Sequence, residues 1–108
     1  MAFSIAYSDY INDQLSNLDD ITTKKMFGGL SYYKEGVMFG LIGNDIFCLR
    51  VTQENQADYD AYGMKAFMSS EKTKGLPYWE VPVEILEDKK ELTNWAIKAF
   101  EIALSLKK

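Results

Sequence analysis

Histidine is absent from this sequence and cysteine occurs once, at Cys48. Zinc and redox metals need converging thiolate, imidazole or carboxylate ligands, and the usual sets cannot be assembled from this inventory. The same shortage excludes Ser-His and Cys-His nucleophile pairs. Cys48 sits in an apolar run, where a cysteine behaves as an inert, buried hydrophobe. Gly28-Gly29 has neither G-x-G-x-x-G nor G-x-x-x-x-G-K-[ST] around it, so it is not a nucleotide loop. Asp19-Asp20 and Glu87-Asp88 could each pair carboxylates for acid/base work, but both fall where helices begin or end and read as solvated boundaries. No catalytic residue, no metal site and no cofactor is expected.

Binding chemistry is better represented. Arg50 is the only arginine in a chain whose other basic residues are all lysine. Its planar donor fork suits a carboxylate or phosphate, on a ligand or on a neighbouring Asp or Glu of the chain itself. Two aromatic pairs, Tyr32-Tyr33 and Tyr78-Trp79, fall in strand-like runs. Adjacent strand residues face opposite ways, so one of each pair should leave the helix-covered core. Arg50, Tyr33, Tyr78 and Trp79 are therefore the candidate contact residues. Gly28, Gly29 and Gly40 mark a bend, a close packing contact or a ligand approach.

These residues are positioned by a meander over residues 25–51. Its apolar runs are separated by Lys34-Glu35-Gly36 and by Gly43-Asn44-Asp45, the pattern of three strands joined by tight turns. The middle run, Val37 to Ile42, is apolar without interruption and should be covered on both faces. Phe3, Tyr7, Ile11, Leu15 and Leu18 form the apolar stripe of a first helix. Thr52 is the expected N-cap of a short helix, Gln53 to Tyr62, closed by Gly63. Lys65–Met68 reads as a short strand, Ser69–Gly75 as a polar loop, and Leu76–Val81 as a last strand stopped by Pro82. Asp88 with Glu91 has the form of a capping box opening a long final helix. The expected fold is α+β, a two-layer α/β sandwich of order α-β-β-β-α-β-β-α with an antiparallel five-stranded sheet. At 108 residues it fits one domain.

The formal net charge is -4, which repels a polyanion and makes direct nucleic-acid binding an unfavoured reading. No run approaches the roughly 18 apolar residues of a membrane helix. Without a signal-peptide pattern, and with a lone cysteine, the expected compartment is the cytoplasm.

Lys25-Met26-Phe27-Gly28-Gly29, continued by Gly36-Val37-Met38-Phe39 and Cys48-Leu49-Arg50-Val51, resembles the TfoX N-terminal domain family, also met as the N-terminal half of the Sxy/TfoX competence regulators. Asn55-Gln56-Ala57-Asp58-Tyr59 and Pro77-Tyr78-Trp79-Glu80-Val81-Pro82 extend the resemblance over nearly the whole chain, in a form limited to the first domain. Its motif positions here are Met26, Phe27, Gly28, Gly29, Gly36, Met38 and Phe39. The resemblance implies a two-layer α+β domain and a regulatory role, since full-length relatives activate DNA-uptake genes together with a cyclic-AMP-responsive activator. The expected function is a non-enzymatic regulatory or protein-interaction module with a protein partner, and with homodimerisation as a further expectation. A small-ligand binder using Arg50, or a nucleic-acid binder using Lys24, Lys25, Lys34, Lys65, Lys72 and Lys74, are the alternatives.

Overall fold

The computed structural model describes residues 3–26, 28–69 and 75–107. Phe27 and most of the loop expected at Ser69–Gly75 lie outside them. Helix α1 (Ile5–Gln14) starts where the Ser4 hydroxyl accepts the Tyr7 N–H at 3.1 Å. That cap satisfies one of the unpaired donors of the first turn. Four strands follow: β1 (Ile21–Met26), β2 (Gly29–Lys34), β3 (Val37–Gly43) and β4 (Ile46–Arg50). After α2 (Gln56–Asp60) come β5 (Tyr78–Glu80), α3 (Val83–Leu86) and α4 (Lys89–Ser105). The sheet is antiparallel and five-stranded, in the order β1-β2-β3-β4-β5.

The α+β class and the five-stranded antiparallel sheet agree with expectation, but the strands are not all where the sequence puts them. The order is α-β-β-β-β-α-β-α-α rather than α-β-β-β-α-β-β-α. Gly28, with φ +77°, lies in the turn joining β1 to β2, so Ile21–Met26 forms a strand of its own. Lys65–Met68 is not a strand. Ala66 makes a single bridge to Trp79 and the Phe67 N–H reaches the Tyr78 carbonyl at 2.8 Å, after which Met68, at φ +64°, turns the chain away. Leu76–Val81 contracts to Tyr78–Glu80, and the residues after Pro82 form α3, which the sequence reading does not contain. The first helix stops at Gln14, with turns carrying the chain past Leu18.

Helix α2 is also shorter than expected, and Thr52 does not cap it. Instead the buried Asn55 side chain accepts the Thr52 N–H at 2.9 Å and donates to the Arg50 carbonyl at 3.0 Å. These bonds fix a turn between β4 and the helix, so helical geometry begins only at Gln56. Gly63 closes the element at φ +73°, and the Met64 N–H reaches back to the Tyr59 carbonyl at 3.1 Å.

Helices α1 and α4 cover one face of the sheet, over Tyr32, Val37, Phe39, Phe47 and Leu49. The Tyr32 ring stands edge-on to Phe47 at 5.5 Å, and its hydroxyl donates to Asn12 Oδ1 at 2.7 Å. A bulge in β3 explains why its run is apolar throughout. Tyr32 pairs with Gly40 and Tyr33 with Met38, leaving Phe39 without a ladder partner. The extra residue lets Val37, Phe39 and Ile42 enter the helix-side core while Met38 and Leu41 pack on the opposite face.

Candidate functional site

The face opposite the helices carries a second, smaller cluster of Leu41, Cys48, Phe67 and Tyr78, with Met38 and Ile46 against it. Strand alternation places Met26 of β1, Gly29, Ser31 and Tyr33 of β2, and Arg50 of β4 on this same side. Between the sheet and residues 76–78 lies a half-open apolar cleft of about 270 Å³, lined by Met26, Gly29, Met38, Leu41, Leu76 and Tyr78 among others. No charged side chain lines it among the described residues. Leu76 and Pro77 are exposed on its rim, and Met68 is exposed in the neighbouring segment.

Gly29 is required by the approach of a neighbouring strand. A Cβ there would lie 2.6 Å from the Ile42 carbonyl oxygen, closer than any side-chain atom is tolerated. Gly36 serves a different purpose. It sits with Glu35 in the β2–β3 turn, both at positive φ (+79° and +52°), the backbone of a tight two-residue hairpin. Gly40 is pressed between β4 backbone and side chains, with the Cys48 carbonyl 2.9 Å from where its Cβ would stand. The glycines thus serve bends and close packing.

Arg50 lies over the Tyr78 ring, 5.7 Å from its centroid, in the register that pairs the two residues across β4 and β5. It forms no ion pair among the described residues, and its buried Nε has no hydrogen-bond partner there. The salt bridge to a local Asp or Glu that the sequence allowed is not formed with any described residue. Burial pushes the Tyr78 hydroxyl above its ordinary 10.0, and the adjacent guanidinium offsets part of that rise. Burial likewise pushes the Cys48 thiol upward, with Glu80 adding to the effect. A fully enclosed thiol held in the neutral form is a poor nucleophile.

The residues brought together are Met26, Gly29, Met38 and Tyr78 at the cleft, with Arg50 against Tyr78 and the half-buried Tyr33 paired to Met38. Phe39 is buried in the helix-side core, Gly36 is in an exposed turn, Gly28 is in the β1–β2 turn, and Phe27 is outside the described residues. Trp79 is not a surface contact. It alternates to the helix side and packs 6.2 Å from the Tyr59 ring. The one-of-each-pair expectation holds, with Tyr32 and Trp79 directed inward and Tyr33 and Tyr78 on the other face. Residues 13–103 match the model of the TfoX N-terminal domain family. The chain belongs to that family. No match is found among curated proteins. In this TfoX N-terminal domain the motif residues Met26, Gly29 and Met38 meet at one place, although they come from three strands.

Sequence reasoning missed Ser31, Leu41, Leu76 and Pro77 as members of the same cleft. Alternation from Gly29 would have placed Ser31 beside Tyr33, but the contribution of residues 76–77 depends on how the chain returns after α2. Roomier clefts lie elsewhere among the described residues, of about 350 Å³ beside Met64 and Met68, about 440 Å³ between α1 and β1, and about 330 Å³ beside Lys98 and Glu101. None of these contains a motif residue. Two of the described lysines lie on opposite faces: Lys24 pairs with Ser31 on the cleft side, whereas Lys34 bends over the Phe100 ring at 5.4 Å on the helix side. Lys72 and Lys74 are outside the described residues. No described helix is long and apolar enough to cross a membrane.

Proposed function

We propose that this TfoX N-terminal domain is a non-enzymatic, regulatory protein-interaction module of the cytoplasm, and that its contact surface is the sheet face opposite α4. The observation that carries this reading is the convergence of Met26, Gly29 and Met38 with Tyr78 around one apolar cleft whose rim exposes Leu76 and Pro77. Apolar surface with aromatic and methionine side chains and little charge is the composition of interface centres. The outer edge of β1 is also unpaired within the sheet and carries Thr22, Thr23, Lys24 and Lys25, all exposed. The lysines exposed along that edge oppose strand-to-strand pairing with a second copy, so the proposed partner is a different protein. The net charge of -4 and the separation of Lys24 from Lys34 weigh against nucleic acid.

The test is capture from native lysate by the purified chain beside a Tyr33→Ser, Leu76→Ser variant whose fold is checked by circular dichroism. A transcription regulator retained by the wild type and lost by the folded variant supports the reading. Equal retention by both proteins, or no retained protein, contradicts it.

A further inference from the structure

Along its outer edge β1 presents unsatisfied backbone in a defined register. The Glu35 N–H bonds to the Asp20 carbonyl at 3.3 Å, next to the Ile21 to Lys34 pair that opens the ladder with β2. An antiparallel ladder alternates between pairs that exchange both backbone bonds and pairs that exchange none. Thr22 and Lys24 therefore direct their N–H and C=O groups to β2, whereas Ile21, Thr23 and Lys25 direct theirs away from the sheet. Among the described residues no strand lies beyond β1, and no loop hydrogen bond reaches these three residues. Donors and acceptors free at this spacing match the backbone of one more extended chain. The side chains beside them suit the same occupant. Thr23 pairs with the core residue Tyr32, so Ile21 and Thr23 face the helix layer, where they border the cleft of about 440 Å³ with Leu15 and Leu18. Lys24 and Lys25 are exposed toward one end of the strand, without an ion pair among the described residues, and Asp19 and Asp20 are exposed beyond its other end. The lysines that oppose a second copy therefore favour a strand that is acidic opposite them.

We propose that the β1 edge is a docking site for an extended segment of a partner protein, which adds to the sheet as a sixth, antiparallel strand. Antiparallel addition continues the pattern of the sheet and is the more stable pairing per residue. In that direction the segment meets Lys25 and Lys24 first and Asp20 last. It is therefore acidic at its N-terminal end, basic at its C-terminal end, and apolar and β-branched opposite Thr23 and Ile21, where its side chains enter the cleft beside α1. This surface shares no lining residue with the cleft around Met26, Met38 and Tyr78. It goes beyond the function proposed above and is tested on the isolated chain, so either reading can fail without the other.

The experiment is an NMR titration of the full chain with the peptide acetyl-Thr-Glu-Glu-Ile-Thr-Ile-Lys-amide. Its glutamates fall opposite Lys25 and Lys24, and its isoleucines opposite Thr23 and Ile21. The expected result is saturable binding that slows hydrogen exchange at the Ile21, Thr23 and Lys25 amides and leaves Thr22 and Lys24, already bonded to β2, unchanged. N-methylation of the first isoleucine, whose N–H points at β1, should weaken binding about tenfold or more. N-methylation of the second threonine, whose N–H points away, should change it by no more than about twofold. A peptide with glutamate and lysine exchanged should bind the Lys24→Glu, Lys25→Glu variant better than the wild type, the fold of the variant being checked by circular dichroism. The proposal is overturned if the first peptide does not bind, if the two N-methylated peptides bind equally, or if the exchanged peptide binds the wild type as well as the original does. Protection of the Ile21, Thr23 and Lys25 amides in a dimer of the free chain would seat a second copy on the edge and would equally overturn it.

Discussion

A Cβ on Gly29 would meet the Ile42 carbonyl at 2.6 Å, and backbone cannot rotate aside as a side chain can. Gly29→Ala should therefore destabilise the domain by roughly 3 kcal/mol, at the upper end of overpacking costs. At Gly36 there is open space and the only obstacle is φ +79°. Gly36→Ala should cost about 1 kcal/mol. Urea denaturation of the two variants checks the order, and equal midpoints would contradict this account of the motif. Arg50 permits a second test at the same scale. Because the guanidinium holds down part of the burial-driven rise of Tyr78, Arg50→Ala should move the Tyr78 titration further upward, as seen by ultraviolet absorbance. Alternation already showed in sequence that Tyr32 and Tyr33 must part. Alternation alone could not say which of Tyr78 and Trp79 went inward, because that depends on the Leu49 to Trp79 register across β4 and β5.

Among the elements, those with strong local signals were legible and those set by neighbours were not. The long helix announced itself through Asp88, whose carboxylate accepts the Glu91 N–H at 3.1 Å, and through apolar residues at helical spacing. Asp88→Ala should lower stability by about 1 kcal/mol, readable as a shifted thermal midpoint with unchanged spectrum. Hairpins at Glu35-Gly36 and Asn44-Asp45 were equally legible, since both turns demand the positive φ that these residue types tolerate. Strand β1 was not. Its residues are exposed over most of their length, so no core pattern distinguishes Thr22 to Lys25 from a loop. The Lys65–Met68 segment failed in the other direction, having strand-like side chains but only a single bridge to support it.

At the scale of the molecule, several tyrosines and the thiol are neutral and enclosed. Tyr32, Tyr59 and Tyr78 are pushed above 10.0 and Cys48 above 9.0, each chiefly by burial. A raised folded-state value means that the unfolded chain releases these protons first. The associated stability is complete below about pH 9 and is lost as pH rises through and beyond the unfolded values. Denaturation midpoints measured from neutral to alkaline pH should be level and then fall, and a rise in that window would contradict the burial described.

The position of the cleft was only half legible in sequence, because Met26, Gly29 and Met38 were visible as a motif but their meeting with Leu76 and Tyr78 is a property of the folded sheet. That meeting is the basis for proposing the face opposite α4 as the working surface. The most direct measurement is photo-crosslinking in the native cell, with the reactive group placed at Leu76 on the cleft rim or at Ile97, a partly exposed residue of α4. A discrete protein adduct from Leu76 that disappears with Tyr33→Ser, and none from Ile97, is the predicted result. An adduct from Ile97 alone, or equal adducts from both positions, would place the working surface elsewhere and contradict the account.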